Sequence, residues 1–106
     1  MKRVYGNEAD GTSLIGYLDI SYSDLISVFG EPGINDGYKT DAEWDMVINE
    51  EVITIYNYKS GKNYASNNPE VEDIRDWHVG GKSLKALEYL RDFLISACIT
   101  FNSEKS

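Results

Sequence analysis

One cysteine, Cys98, in a chain of 106 residues allows no internal disulfide, and such sparse cysteine usage fits a reducing compartment. One histidine, His78, has no second imidazole and no thiolate pair at zinc-ligand spacing, so neither a metal centre nor a Cys/His nucleophile pair is expected. A G-x-S-x-G elbow is also missing, and the chain is read as non-enzymatic, with no catalytic residue and no cofactor. No apolar run approaches the roughly 20 residues that span a bilayer, and none of signal-peptide length follows the first residues. The expected location is therefore cytoplasmic. Basic residues are few: 10 Lys and Arg stand against 18 Asp and Glu, giving a net charge of -8. That balance argues against anionic membranes and against direct, nonspecific nucleic-acid binding.

What is present fits one compact domain: 42% hydrophobic and 26% charged residues supply a core that needs no disulfide or metal to hold it. The acidity is concentrated in the first half, where residues 4–58 hold eleven acids and a single base, Lys39. Residues 1–11, with Gly6, Asn7, Asp10 and Gly11, read as a flexible start, followed by a single domain over 12–102 and a frayed tail at 103–106. The apolar residues of 12–20 fit a strand, with Gly16 marking a bulge or a close approach. Ser21 reads as a helix N-cap with Asp24 in the first turn, and Gly30 as the stop. Residues 31–38, rich in Gly, Asn, Asp and Pro, read as a loop.

Thr40, Ala42, Trp44, Met46 and Ile48 alternate with Lys39, Asp41, Glu43, Asp45 and Val47, the pattern of a half-buried strand. A turn over 49–51 and a β-branched, aromatic run over 52–58 predict an antiparallel hairpin. A polar loop spans 59–73, a further strand 74–79, and Gly80-Gly81 is read as the turn closing it. Ser83 then caps a helix whose Leu84, Leu87, Leu90, Leu94, Cys98 and Phe101 form one apolar stripe. The expected fold is α+β: an antiparallel sheet of about four strands with two helices on one face, in the order β-α-β-β-β-α.

Two groups of residues carry candidate chemistry. Asp41, Glu43 and Asp45 would project from one strand face at intervals of about 6.6 Å. A calcium loop is excluded, because Met46 stands where the sixth position needs glycine, and a metal-assisted nuclease would need basic partners beyond Lys39. A solvated sheet face and a recognition surface for a basic protein remain. The second group surrounds Gly80-Gly81-Lys82-Ser83, where converging backbone N–H groups, a helix N-terminus and a lysine could hold a phosphate or carboxylate. Asp76 replaces the first glycine of a Walker A motif, and the plain alternative is a serine-capped turn. With Lys59, Lys62, Tyr64, Trp77 and His78, this turn could line a pocket for a nucleotide, which a homo-oligomer would complete.

Three phrases, Gly37-Tyr38-Lys39-Thr40-Asp41-Ala42-Glu43-Trp44, Ile55-Tyr56-Asn57-Tyr58-Lys59 and Asp76-Trp77-His78-Val79-Gly80-Gly81, are distinctive as a set. Together they resemble a group of small proteins encoded by bacteriophages and other mobile elements, over residues 14–95. The resemblance carries over no catalytic residue. It implies a setting, since small acidic phage proteins are frequently inhibitors of host defence, among them anti-CRISPR proteins and sponges for immune nucleotides. Two expectations follow: an inhibitor that binds a basic, nucleic-acid-handling host defence protein through Asp41, Glu43 and Asp45 in the host cytosol, or a sponge that sequesters a nucleotide signal at the GGKS turn.

Overall fold

The computed structural model describes residues 1–5, 10–33 and 39–106. Residues 6–9 of the expected flexible start and 34–38 of the expected loop lie outside the described residues. The chain is α+β, with elements β1 (Lys2–Arg3), β2 (Ser13–Asp19), α1 (Tyr22–Phe29), β3 (Glu43–Ile48), β4 (Glu51–Tyr56), a 3₁₀ turn (Val71–Asp73), β5 (Asp76–Gly81), α2 (Leu84–Ser96) and β6 (Asn102–Lys105). Among the described residues six strands form one antiparallel sheet in the order β1-β3-β4-β5-β2-β6. The expected four strands are its centre. The two additional strands are the edges, formed by segments whose own sequences, Lys2-Arg3 and Asn102-Ser103-Glu104-Lys105, carry no strand signal and are ordered by pairing to β3 and β2.

Alternation along each strand sends one set of side chains under the helices. Trp44, Met46, Ile53, Ile55, Trp77, Val79 and Leu18 are almost fully buried there, with Leu25 of α1 and Leu90 and Leu94 of α2. Phe29 of α1 stacks on Phe93 of α2 at 5.8 Å, and Tyr22 of α1 lies 5.8 Å from Trp44, so both helices cover the same face. Residue Ile15 is the extra residue of a bulge between Leu14 and Gly16, which turns both Ile15 and Gly16 inward.

The helix ends are fixed by different means. Ser21 accepts from the Asp24 N–H at 3.1 Å, and Gly30, at φ 84°, ends α1, as the sequence predicts. The end of α2 differs from its apolar stripe. The Cys98 N–H bonds Ile95 O at 3.0 Å and the Ile99 N–H bonds Leu94 O at 3.1 Å, a Schellman closure with Cys98 left-handed at φ 60°. The helix therefore stops at Ser96, and Cys98 is exposed rather than packed in the core. At the other end Ser83 occupies the N-cap position, but its hydroxyl donates to Glu51 Oε1 at 2.7 Å instead of capping the backbone.

Two turns are thus held by L-residues where glycine would cost less. Glu50 (φ 69°), with Asn49 (φ 50°), forms the two-residue turn of the β3/β4 hairpin, where both central residues need positive φ. Glu50→Gly and Cys98→Gly should each raise the unfolding free energy by about 0.5–1 kcal/mol in urea titrations, the balance of relieved strain and added chain entropy. Loss of stability in either variant would show that its side chain makes a compensating contact.

Candidate functional site

The face of the sheet turned away from the helices carries a continuous row across five strands. Register sets Glu43 beside Tyr56, Tyr56 beside His78, His78 beside Tyr17, and Tyr17 beside Glu104. Cross-strand neighbours share a face and lie in contact range, so the row runs acid, aromatic, imidazole, aromatic, acid. His78 sits at its centre, 5.2 Å from the Tyr17 ring and 5.5 Å from the Tyr56 ring, both edge-on, with Tyr58 stacked at 5.8 Å. Tyr17 and Tyr58 are 40% and 42% exposed, enough to offer ring surface to a partner. Asp19 and Asp76 face one another in the neighbouring register position, with Arg75 bonded to Asp19 at 3.0 Å.

The next row is Asp45, Thr54, Gly80 and Leu14. It is low because Gly80 has no side chain: a Cβ there would overlap Thr54 Oγ1 and stand 3.6 Å from Thr12 Oγ1. On the opposite face a Cβ on Gly81 would come within 2.8 Å of Ile15 Cδ1 and 3.0 Å of Ala86 Cβ, so α2 can approach β5 only over glycine. Both glycines therefore lie inside β5, paired with β4 and β2, and form no anion-holding turn. The carboxylate of Glu51, bonded to Ser83, already takes the place by the start of α2 where a bound anion was expected.

The predicted residues are only partly brought together. Of the nucleotide-pocket set, Lys59, Tyr64 and His78 share a neighbourhood: Lys59 Nζ lies 5.2 Å from the Tyr58 centroid and 5.5 Å from that of Tyr64. Lys62 instead donates to Ser66 O at 2.6 Å. Trp77 faces the core and donates to Ile20 O at 3.0 Å. Lys82, just past the end of β5, stands four residues from His78, about 13 Å at strand rise. Of the acidic set, Glu43 and Asp45 lie on the helix-free face, but Asp41 precedes β3 and is a structural anchor. It accepts from Asn57 Nδ2 at 3.0 Å and from the Asn63 N–H at 3.2 Å, and its carboxylate packs where a Gly61 side chain would be. Asn57, fully buried, closes the arrangement by accepting from the N–H groups of Asp41 (2.7 Å) and Ala42 (3.1 Å).

Tyr17, Tyr56, Tyr58 and Glu104 complete the face and were not singled out by the sequence as parts of one surface. The alternating parity of β4 and β5 puts Tyr56 and His78 on polar faces; no sequence signal places β2 and β6 beside them. Among the described residues no group of three or more His, Cys, Asp or Glu is placed to hold a metal ion, and no helix is long and apolar enough to cross a membrane.

Burial lowers the His78 pKa from its ordinary value, with the nearby Asp76 charge opposing the shift in part. The unfolded chain then takes up a proton below about pH 6.5 that the folded chain resists, so stability falls as pH drops from there toward the lowered folded value. Urea unfolding at about pH 7.5 and 5.5 should show a smaller acid loss for His78→Phe than for the wild-type chain; equal losses would remove His78 from the acid response. Asp41→Ala should cost about 1–3 kcal/mol in the same assay, because it strands the donors of Asn57 and Asn63, whereas a change within 0.5 kcal/mol would return Asp41 to the solvated face. Compared with protein-family models, with curated proteins and with solved structures, the chain matches none.

Proposed function

We propose that this protein is a non-catalytic binding module that docks a basic surface of another protein on the helix-free face of its sheet. The observation that carries this reading is the row Glu43-Tyr56-His78-Tyr17-Glu104, with aromatic rings at its centre and carboxylates at both ends. Protein interfaces concentrate binding energy in central aromatic residues and leave charge at the rim, where it steers encounter and selects partners. Asp19, Asp76 and Asp45 extend the acidic margin, and the net charge of -8 adds a long-range field that favours a cationic partner. In the phage setting that the sequence resemblance implies, the fitting partner is a nucleic-acid-handling defence protein of the host, and the action is inhibition by occupying its basic surface.

The test uses a partner identified by crosslinking in host cells and then purified. Tyr17→Ala should weaken the complex by removing a central ring, and Glu43→Lys with Glu104→Lys should weaken it at least tenfold, or about 1.4 kcal/mol, at moderate salt. The wild-type association rate should fall steeply as salt is raised. A partner whose affinity and salt response are unchanged by these substitutions would bind elsewhere and overturn the reading.

A further inference from the structure

We infer, resting on the docking reading above, that the basic partner presents a polyproline II segment to the aromatic row, with proline at every third residue and an arginine or lysine beside it. The ring cluster borders two hollows in the helix-free face. The one toward β6 encloses about 540 Å³, with Tyr17, His78, Asp76 and Glu104 in its wall. The one toward β3 encloses about 560 Å³, with Tyr56, Tyr58 and Thr54 in its wall. Both volumes lie in the range of sites that hold small organic groups.

The spacing of the two hollows is the first feature that points to this ligand. Tyr17 on β2 and Tyr56 on β4 share one register row with β5 between them, so two sheet spacings, about 9.6 Å, separate their backbones. A polyproline II helix advances about 9.3 Å over three residues. Laid across the strands, such a segment brings residues i and i+3 to Tyr17 and to Tyr56, one at each hollow.

The second feature is the chemistry of the rings. Proline is flat and apolar on its ring face, and Tyr17 and Tyr58, standing on either side of His78 at 5.2 and 5.8 Å, offer it exposed ring surface. A polyproline II helix makes no internal hydrogen bonds, so its carbonyls need outside donors. Burial, and then the Glu43 charge, push the Tyr56 phenol up, so it stays protonated and donates. Burial also lowers the His78 pKa, which keeps the floor between the two hollows uncharged near neutral pH. Because the segment is stiff before it binds, docking costs it little conformational entropy.

The third feature is charge at one end. Asp76 and Glu104 are exposed and line only the hollow toward β6, beside Tyr17. A cationic side chain next to the proline in that hollow meets both carboxylates, which gives the segment a direction on the face.

The experiment titrates the intact chain by calorimetry with two synthetic peptides of equal composition and charge. One carries proline at every third position and arginine at each end; the other keeps the arginines and has no two prolines three residues apart. The periodic peptide should bind at least tenfold more tightly. Tyr17→Ala should abolish that preference and Tyr17→Phe should retain it, while Glu104→Lys should weaken both peptides alike. As a measure independent of any variant's folding, amide shifts in the wild-type chain titrated with the periodic peptide should concentrate at Tyr17, Tyr56, Tyr58 and His78. Equal affinities for the two peptides, or shifts confined to other surfaces, would overturn the polyproline segment and leave the docking reading standing. Binding of neither peptide would overturn it as well, since the docking reading is tested on the crosslinked partner.

Discussion

Two tryptophans hold this fold together. Trp44 and Trp77, from β3 and β5, meet edge to face at 5.4 Å with no solvent exposure, and each sends its indole N–H to one end of α1. Trp77 donates to Ile20 O just before the helix, and Trp44 donates to Gly30 O just after it, at 2.8 Å. A buried indole must place its polar edge on an acceptor, and here both edges fix the helix at entry and exit. Arg3 reinforces the exit from the edge strand by donating to Phe29 O, a cation at the end of α1 where the helix dipole favours one. The sheet, α1 and the first strand are thereby tied to one another by three side chains.

With the tryptophan face committed to the helices, the opposite face is the one that no helix covers. The same alternation that buries Trp44, Ile55 and Trp77 must expose Glu43, Tyr56 and His78 between and beside them. Within a central strand of an antiparallel sheet, each such residue meets neighbours on both sides, which is how single exposed residues become a row. The edges are blunted: β1 has two residues, and β6 carries Glu104 and Lys105. Charged, short edges resist further strand pairing.

The glycines of β5 show how one sequence feature can mislead. Gly80-Gly81 before a lysine and a serine has the composition of an anion-holding turn, yet both residues are strand positions where a side chain would strike Thr54 or Ala86. Close approach, not backbone freedom, explains them. Asp41 teaches the same lesson in reverse: alternation groups it with Glu43 and Asp45, but the strand begins at Glu43, and the buried amide of Asn57 draws the Asp41 carboxylate into the following loop.

The sequence by itself determined the class of the fold, the central hairpin, both helices, an irregularity at Gly16 and the caps of α1. All of these rest on local periodicity and on residues whose conformational preferences act within a few positions. It also determined that Glu43 and Asp45 share one strand face and that Trp77 and His78 face opposite ways. Only the tertiary structure decided that β5 lies between β4 and β2, which joins Tyr17 and Glu104 to that surface, and that the terminal segments become edge strands. Strand order and register come from long-range packing against the Trp44 and Trp77 core, and the alternation of a single strand does not encode its neighbour. The end of α2 was hidden for a related reason: Cys98 adopts the left-handed turn without the glycine that would announce it.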